Sequence, residues 1–79
     1  MENLELFYQK NCPFCQKVLS FLEENGIGDI ELKEIDDDPS ARQRLEDVGG
    51  KLQVPCLFID GDPLYESDDI IDWLEEDVL

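Results

Sequence analysis

Histidine is absent from the chain, and only 3 of its 79 residues are cysteines. Without histidine there is no imidazole general base, and three cysteines are too few for a four-ligand zinc site of cysteine and histidine. An odd number of cysteines is also unlike the paired framework of a secreted disulfide-rich domain. These absences leave a cysteine pair in an intracellular protein as the main candidate for chemistry.

Basic residues are scarce, since 6 lysines and arginines stand against 21 acidic residues and the net charge is -15. Such a surface repels nucleic-acid phosphates and anionic lipids, so we expect neither nucleic acid nor membrane as a partner. The longest mainly apolar run, residues 54–59, is too short to span a bilayer. The N-terminus has no basic region followed by an apolar stretch, so it does not resemble a secretory signal. We therefore expect a cytoplasmic protein.

The apolar content is nevertheless sufficient for a core. Hydrophobic residues make up 42% of the sequence, which indicates a globular chain despite 34% charged residues. A chain of this length has room for one modest core. We expect a single domain over residues 1–79, and a monomer.

The first half of the chain predicts a β-α-β unit. Residues 4–8 alternate as in a strand, and a helix is expected after Cys12 because Pro13 suits a first helical turn and Gly26 suits a helix end. A second strand is indicated by the alternation in residues 30–33. Two strands joined by a helix in one sheet should run parallel.

The second half predicts another helix, a hairpin and a last helix. Asp38 and Pro39 are typical of a helix start, and Gly49-Gly50 of a helix end. The apolar stripe of this helix is expected to consist of Ala41, Leu45 and Val48.

Asp60-Gly61 predicts a tight turn between strands at residues 56–59 and 64–65. Ser67 is expected to cap the last helix, whose inward side chains would be Ile70, Ile71 and Leu74. The complete order is β-α-β-α-β-β-α, an α/β arrangement.

Cys12 and Cys15 form a Cys-x-x-Cys pair at the start of the first predicted helix. The free N–H groups and the dipole of a helix N-terminus favour a thiolate on Cys12. Cys15, one turn further on, is placed to attack a mixed disulfide formed on Cys12. The alternative, half of a metal site, lacks the histidines or second Cys-x-x-Cys that would complete it. We therefore predict a nucleophile and a resolving thiol.

Cys56 is ambiguous because it directly follows Pro55. We interpret it as a small buried hydrophobe at a strand start. The alternative is an auxiliary thiol that forms a disulfide with Cys12 or Cys15. For the Val54-Pro55 bond, the sequence alone favours the commoner trans form.

The sequence resembles a glutaredoxin in Cys12-Pro13-Phe14-Cys15, in Val54-Pro55 and in the order of its elements. Residues 64–71, Leu-Tyr-Glu-Ser-Asp-Asp-Ile-Ile, are similar to the N-terminal domain of glutathione transferases. The resemblance implies a thioredoxin fold with a mixed four-stranded sheet and three helices. It also implies a cis Pro55 and a glutathione-dependent oxidoreductase that reduces protein disulfides or glutathione mixed disulfides.

The same resemblance implies roles for particular residues. The catalytic pair would be Cys12 and Cys15, with glutathione as cosubstrate and no metal. Gln9 stands where the family commonly has a basic residue, and Lys10 follows it. The implied glutathione site comprises Lys10, Phe14, Gln53, Val54, Pro55, Glu66, Ser67 and Asp68.

Several alternatives stay open at this point. Lys10 and Lys17 would favour the thiolate and attract glutathione, or they are ordinary solvated lysines. Residues 67–69 alone are typical of a plain helix start with acids that match the dipole. A redoxin reduced by thioredoxin reductase without a glutathione site is the second functional hypothesis. A third is an iron–sulfur carrier that holds a cluster through Cys12.

Overall fold

A computed structural model describes residues 3–78. Within them, strands and helices follow one another in the predicted order. Their bounds are β1 Leu4–Tyr8, α1 Pro13–Glu24, β2 Ile30–Glu34, α2 Pro39–Gly49, β3 Cys56–Ile59, β4 Asp62–Tyr65 and α3 Ser67–Asp77. No helix in this described part is long and apolar enough to cross a membrane.

The strands form one mixed sheet in the order β2-β1-β3-β4. β1 pairs with β2 in parallel, and the β1–β3 and β3–β4 pairs are antiparallel. The parallel pair confirms the predicted β-α-β unit. This arrangement is the thioredoxin fold that the sequence implied.

Two apolar clusters cover the two faces of the sheet, because successive side chains of a strand point to opposite faces. Leu4 and Leu6 of β1 belong to the cluster that includes buried residues of α1 and α3. Phe7, one position on, belongs to the cluster that includes Ala41 and Leu45 of α2. The sheet therefore separates α2 from the other two helices.

Helix starts and turns follow the sequence signals at most positions. Asp38 Oδ1 accepts hydrogen bonds from the backbone N–H groups of Ser40 and Ala41, at 3.0 and 3.2 Å. Asp60 and Gly61 both have positive φ angles, 50° and 90°, as the tight turn requires. The Val54–Pro55 peptide bond is cis, as the family resemblance implied.

The expected N-cap of the last helix is wrong. Ser67 is the first helical residue of α3, and the cap position is held by Glu66, which makes no side-chain capping bond. Glu66 takes a positive φ of 74°, and the helix begins one residue earlier than expected. Ser67 is buried as a result.

The apolar stripe of α2 is also wrong at one position. Ala41 and Leu45 are buried, but Val48 is 49% exposed. The stripe continues four residues after Leu45 instead, at Gly49, where a Cβ atom would overlap the Tyr65 hydroxyl. The small residue at this point leaves room for that ring.

Candidate active site

Cys12 is the N-cap residue of α1 and is partly exposed. Pro13 occupies the first helical position, where its missing N–H leaves no bond unmade. Cys12 Sγ accepts a hydrogen bond from the backbone N–H of Cys15 at 3.3 Å. This bond and the helix N-terminus both favour negative charge on the sulfur. The geometry fits the nucleophile role predicted for Cys12.

Cys15 lies one turn into α1 and is fully buried. Burial first, and then the hydrogen bond with Cys12, raises the pKa of the Cys15 thiol to about 12. The two thiols thus differ in access, because Cys12 is partly exposed and Cys15 is buried. Such a difference separates an attacking sulfur from a resolving one.

A cavity of about 420 Å³ lies beside the redox pair. It adjoins Cys12 through the lining residue Val54, whose carbonyl oxygen is 4.0 Å from Cys12 Sγ. Its lining residues are Phe14, Gln53, Val54, Pro55, Glu66, Ser67 and Asp68. These are all but one of the residues that the family resemblance implied for a glutathione site, and the fold brings them together from α1, the cis-proline loop and the start of α3.

Two polar contacts join the parts of this cavity. Gln53 Nε2 donates a hydrogen bond to Glu66 Oε1 at 3.1 Å, which ties the loop before Pro55 to the residue before α3. Lys17 Nζ of α1 forms an ion pair with Asp68 Oδ1 of α3. Both contacts link segments that are distant in the chain, and no sequence pattern indicated either of them.

Lys10 is the one proposed site residue outside the cavity lining. Its Nζ bonds Asp37 Oδ2 at 2.7 Å, and this bond raises the pKa of the lysine. Its backbone N–H donates to Glu34 Oε2 at 3.0 Å. The loop before Cys12 is therefore attached to the last residue of β2 and to the acidic segment that follows it.

Cys56 is buried in the cluster on the α2 side of the sheet. Burial raises the pKa of its thiol to about 11. Cys56 pairs with Phe7 of β1 on the α2 side of the sheet. The helix that carries Cys15, α1, contributes Val18 to the cluster on the opposite face. This position confirms the interpretation of Cys56 as a small buried hydrophobe.

The fold and the cysteine pair together define a thioredoxin-fold protein equipped for thiol–disulfide chemistry. Residues 11–77 match the family model described as glutathione S-transferase, N-terminal domain. Glutaredoxin 3 of Escherichia coli K12 is 30% identical over 70 residues, which cover 89% of this chain and 83% of that protein. Glutaredoxin-C4 of Arabidopsis thaliana is 34% identical over 76 residues, covering 94% of this chain and 56% of that protein.

Among solved structures, the thioredoxin-like protein BC3987 is similar, with a TM-score of 0.78 and 28% identity. The match covers 94% of this chain and 97% of that chain. The chain therefore belongs to the glutaredoxin family, with a domain of the glutathione-transferase N-terminal type. It is a thiol–disulfide oxidoreductase.

Proposed function

We propose that this protein reduces glutathione mixed disulfides and protein disulfides with glutathione as its cosubstrate. The observation that supports this most directly is the cavity beside Cys12, which is lined by Gln53, Val54, Ser67 and their neighbours. Its volume of about 420 Å³ lies in the usual range of small-ligand pockets. The proposed catalytic residues are Cys12 and Cys15.

The polar groups of the cavity suit the parts of glutathione. The backbone of Val54, next to Cys12, offers hydrogen bonds to the cysteinyl unit. The N-terminus of α3 with the Ser67 hydroxyl suits the γ-glutamyl carboxylate. The carboxylates of Glu66 and Asp68 suit the γ-glutamyl ammonium.

The proposed reaction begins with the Cys12 thiolate. It attacks the glutathione sulfur of a mixed disulfide, a Cys12–glutathione disulfide forms, and the substrate thiol leaves with the electron pair. A second glutathione thiolate then attacks the glutathione sulfur, which releases glutathione disulfide and free Cys12. For a protein disulfide, Cys15 resolves the intermediate after losing its proton, and two glutathione molecules reduce the resulting Cys12–Cys15 disulfide.

This chemistry belongs in a reducing compartment, because free thiols and the glutathione pool are maintained there. We therefore propose that the protein acts in the cytoplasm on disulfide-containing or glutathionylated proteins.

The first experiment measures turnover of a glutathionylated peptide. Wild type, Cys12→Ser and Cys15→Ser are assayed with glutathione plus glutathione reductase, and in parallel with thioredoxin plus its reductase. We expect glutathione to support turnover, Cys12→Ser to abolish it and Cys15→Ser to retain most of it. Turnover with the thioredoxin system alone would instead support the redoxin hypothesis and contradict a glutathione site.

The second experiment tests the site with a matched pair of charge changes. Asp68 lines the cavity, whereas Asp69, its exposed neighbour in the first turn of α3, does not. Asp68→Asn should raise the KM for the glutathionylated peptide by about tenfold, since a charged hydrogen-bond partner is lost. Asp69→Asn should leave KM near the wild-type value. Equal effects of the two changes would show a general charge effect and contradict the assigned role of Asp68.

A further inference from the structure

The sheet has an open edge at β2. Because the strand order is β2-β1-β3-β4, β2 has a neighbouring strand on one side only within residues 3–78. Just after β2, the Ile35 N–H donates a hydrogen bond to the Tyr8 carbonyl oxygen of β1 at 3.1 Å. Backbone groups alternate in direction along a strand, so those of residues 31 and 33 also face β1. The N–H and C=O groups of Ile30, Leu32 and Glu34 therefore face the open edge.

An apolar groove of about 320 Å³ lies between α1 and this edge. Its lining includes Leu22 of α1, Ile27 of the loop after α1, and Ile30 and Leu32 of β2. Leu32 is 50% exposed. The groove shares no lining residue with the cavity beside Cys12. Backbone hydrogen-bonding groups next to an apolar groove are the features that accept an added strand.

The charges of β2 indicate which strand fits there. Glu31 and Lys33 lie on the opposite face of the sheet from the groove, with Lys33 Nζ 3.0 Å from Glu31 Oε1. An antiparallel strand centred opposite Leu32 matches them if it places a cation opposite Glu31 and an anion opposite Lys33. The sequence of β2, Ile-Glu-Leu-Lys-Glu, meets this condition when it runs in the reverse direction. The open edge is therefore complementary to itself.

We propose that two copies of the protein associate by antiparallel pairing of their β2 strands about a two-fold axis at Leu32. The two Leu32 residues then exchange both backbone hydrogen bonds, and Ile30 pairs in the same way with Glu34 of the partner subunit. Glu31 lies opposite Lys33 of the partner subunit, and the symmetry repeats this pair. The axis is perpendicular to the sheet, so both grooves lie on one face and meet there.

Side-chain contacts of Glu34 are compatible with this pairing. Its carboxylate accepts hydrogen bonds from the backbone N–H groups of Lys10 and Asp36, at 3.0 and 2.6 Å. It is therefore held by its own chain when Ile30 of the partner subunit lies opposite.

The net charge of -15 opposes the association of two copies. Glu23, which also lines the groove, adds a like charge close to the contact. Salt screens this repulsion, and it affects the apolar contact in the grooves much less. We therefore expect the dimer to be favoured by salt. The monomer expected from the sequence is then the state at low salt and low protein concentration.

Sedimentation equilibrium of the reduced protein measures the association. Protein is compared from about 1 μM to about 1 mM, at salt concentrations from about 0.1 to about 1 M. The mass should rise from 9.1 kDa toward twice that value at high protein concentration, and at lower protein concentration when salt is added. A mass of 9.1 kDa under every condition would overturn the proposal.

A matched pair of variants locates the contact. Leu32 and Val48 are equally exposed, at 50% and 49%, but Val48 lies on α2 and outside the groove. Leu32→Lys should lower the association constant at least about tenfold, because two lysines then meet at the axis. Val48→Lys adds the same charge and should not lower it. Equal effects of the two changes would show association through another surface and contradict the proposal.

A charge exchange tests the register at about 0.5 M salt, where long-range repulsion is largely screened. Glu31→Lys makes the chain less acidic but places like charges opposite each other, so it should lower the association constant about fivefold. Adding Lys33→Glu restores opposite charges and should restore association. If Glu31→Lys strengthens association instead, net charge alone governs it and the proposed register is wrong.

Amide hydrogen exchange provides a test that needs no substitution. The Leu32 N–H faces the open edge in the monomer and is hydrogen-bonded in the dimer. Its exchange should slow at least about fivefold as the protein associates, whereas the Lys33 N–H, which already faces β1, should change little. Unchanged exchange of Leu32 in a protein that sediments as a dimer would overturn the pairing of the two β2 strands.

Discussion

The backbone N–H of Cys15 donates a hydrogen bond to Sγ of Cys12, at 3.3 Å. The same short segment exposes one sulfur in part and buries the other, and burial raises the pKa of the Cys15 thiol to about 12. Only a thiolate reacts quickly with alkylating reagents. We therefore predict that iodoacetamide at pH 7 modifies Cys12 and leaves Cys15 and Cys56 unmodified while the protein is folded.

Peptide mapping by mass spectrometry after brief alkylation checks this prediction. Cys12→Ser should remove nearly all labelling of the folded protein, and labelling in urea should reach every remaining cysteine. Modification of Cys15 or Cys56 at a rate comparable to that of Cys12 would contradict the assignment of the nucleophile.

We expect Cys56 to make the protein less stable as the pH becomes alkaline. Burial raises the pKa of its thiol from 9.0 to about 11. The folded protein thus binds the Cys56 thiol proton more tightly than the unfolded chain does. The stabilisation that results is complete below pH 9 and is lost as pH rises through 11. We predict that this thiol lowers the free energy of unfolding by about 1.4 kcal/mol per pH unit within that window.

Urea unfolding of the reduced protein at several pH values from 8 to about 10.5 measures this slope. Cys56→Ala should start from a lower stability, because a buried side chain is shortened, but its stability should fall less steeply with pH. Parallel slopes for wild type and variant would show that the Cys56 proton has no such effect.

Gly49 and Tyr65 lie in direct contact, although 16 positions separate them in the sequence. A Cβ atom at Gly49 would overlap the Tyr65 hydroxyl and lie 3.2 Å from Cζ. That hydroxyl donates a hydrogen bond to the Lys51 carbonyl oxygen at 2.8 Å. We predict that Gly49→Ala lowers the free energy of unfolding by about 1–3 kcal/mol, the usual cost of overpacking.

Two comparisons make this prediction specific. Gly28→Ala is the control, since a Cβ there would have no atom within 4 Å. Adding Tyr65→Phe to Gly49→Ala removes the overlapping hydroxyl and should recover part of the loss. Equal stabilities of Gly49→Ala and Gly28→Ala in urea unfolding would show that the ring moves away at no cost.

Local sequence signals were sufficient for the order of elements, whereas most of the cavity was implied only by the family resemblance. Helix starts and tight turns depend on residues that affect only the adjacent backbone, as do Pro13, Asp38 and Asp60-Gly61. Their effects can therefore be predicted without knowing the fold. The residues of the cis-proline loop were implied by the resemblance to glutaredoxins, and those at the start of α3 by the resemblance of residues 64–71 to the N-terminal domain of glutathione transferases. Lys10 was the exception, since its position in the sequence does not reveal that it meets Asp37.

The contacts that sequence reasoning missed join residues far apart in the chain. Lys17 and Asp68 are 51 positions apart, and Glu5 and Arg44 are 39 apart. Neither pair follows a helical or strand spacing, so only the folded structure brings the partners together. The N-cap was misjudged because Glu66, with its positive φ, takes that position instead of Ser67. Val48 was misjudged because the helix face toward the sheet continues at Gly49, where the Tyr65 ring of β4 fills the space.

Glu5 of β1 is a buried acid. Side chains alternate between the two faces of the sheet along the strand, so Glu5 lies with Phe7 on the face that α2 covers. Its Oε1 pairs with the Arg44 guanidinium, whose Cζ lies 5.1 Å from the centre of the Phe58 ring. Its Oε2 is buried and has no hydrogen-bond partner within the described chain. The carboxylate therefore depends on Arg44 for compensation of its charge.

We predict that Arg44→Ala lowers the free energy of unfolding by about 2–3 kcal/mol, since removing one partner leaves a buried charge that water reaches only in part. Arg42→Ala is the matched control on the same helix, because Arg42 is half exposed and its pair with Asp36 is long, 3.7 Å. That change should cost less than about 1 kcal/mol. Urea unfolding measures both losses.

The double variant Glu5→Leu with Arg44→Leu distinguishes a charge effect from lost packing. It removes both charges and keeps apolar volume beside Phe58, so it should be more stable than Arg44→Ala and close to wild type. If the double variant is as unstable as Arg44→Ala, the stacking of Arg44 over the Phe58 ring accounts for the loss, and the buried carboxylate is compensated by other means.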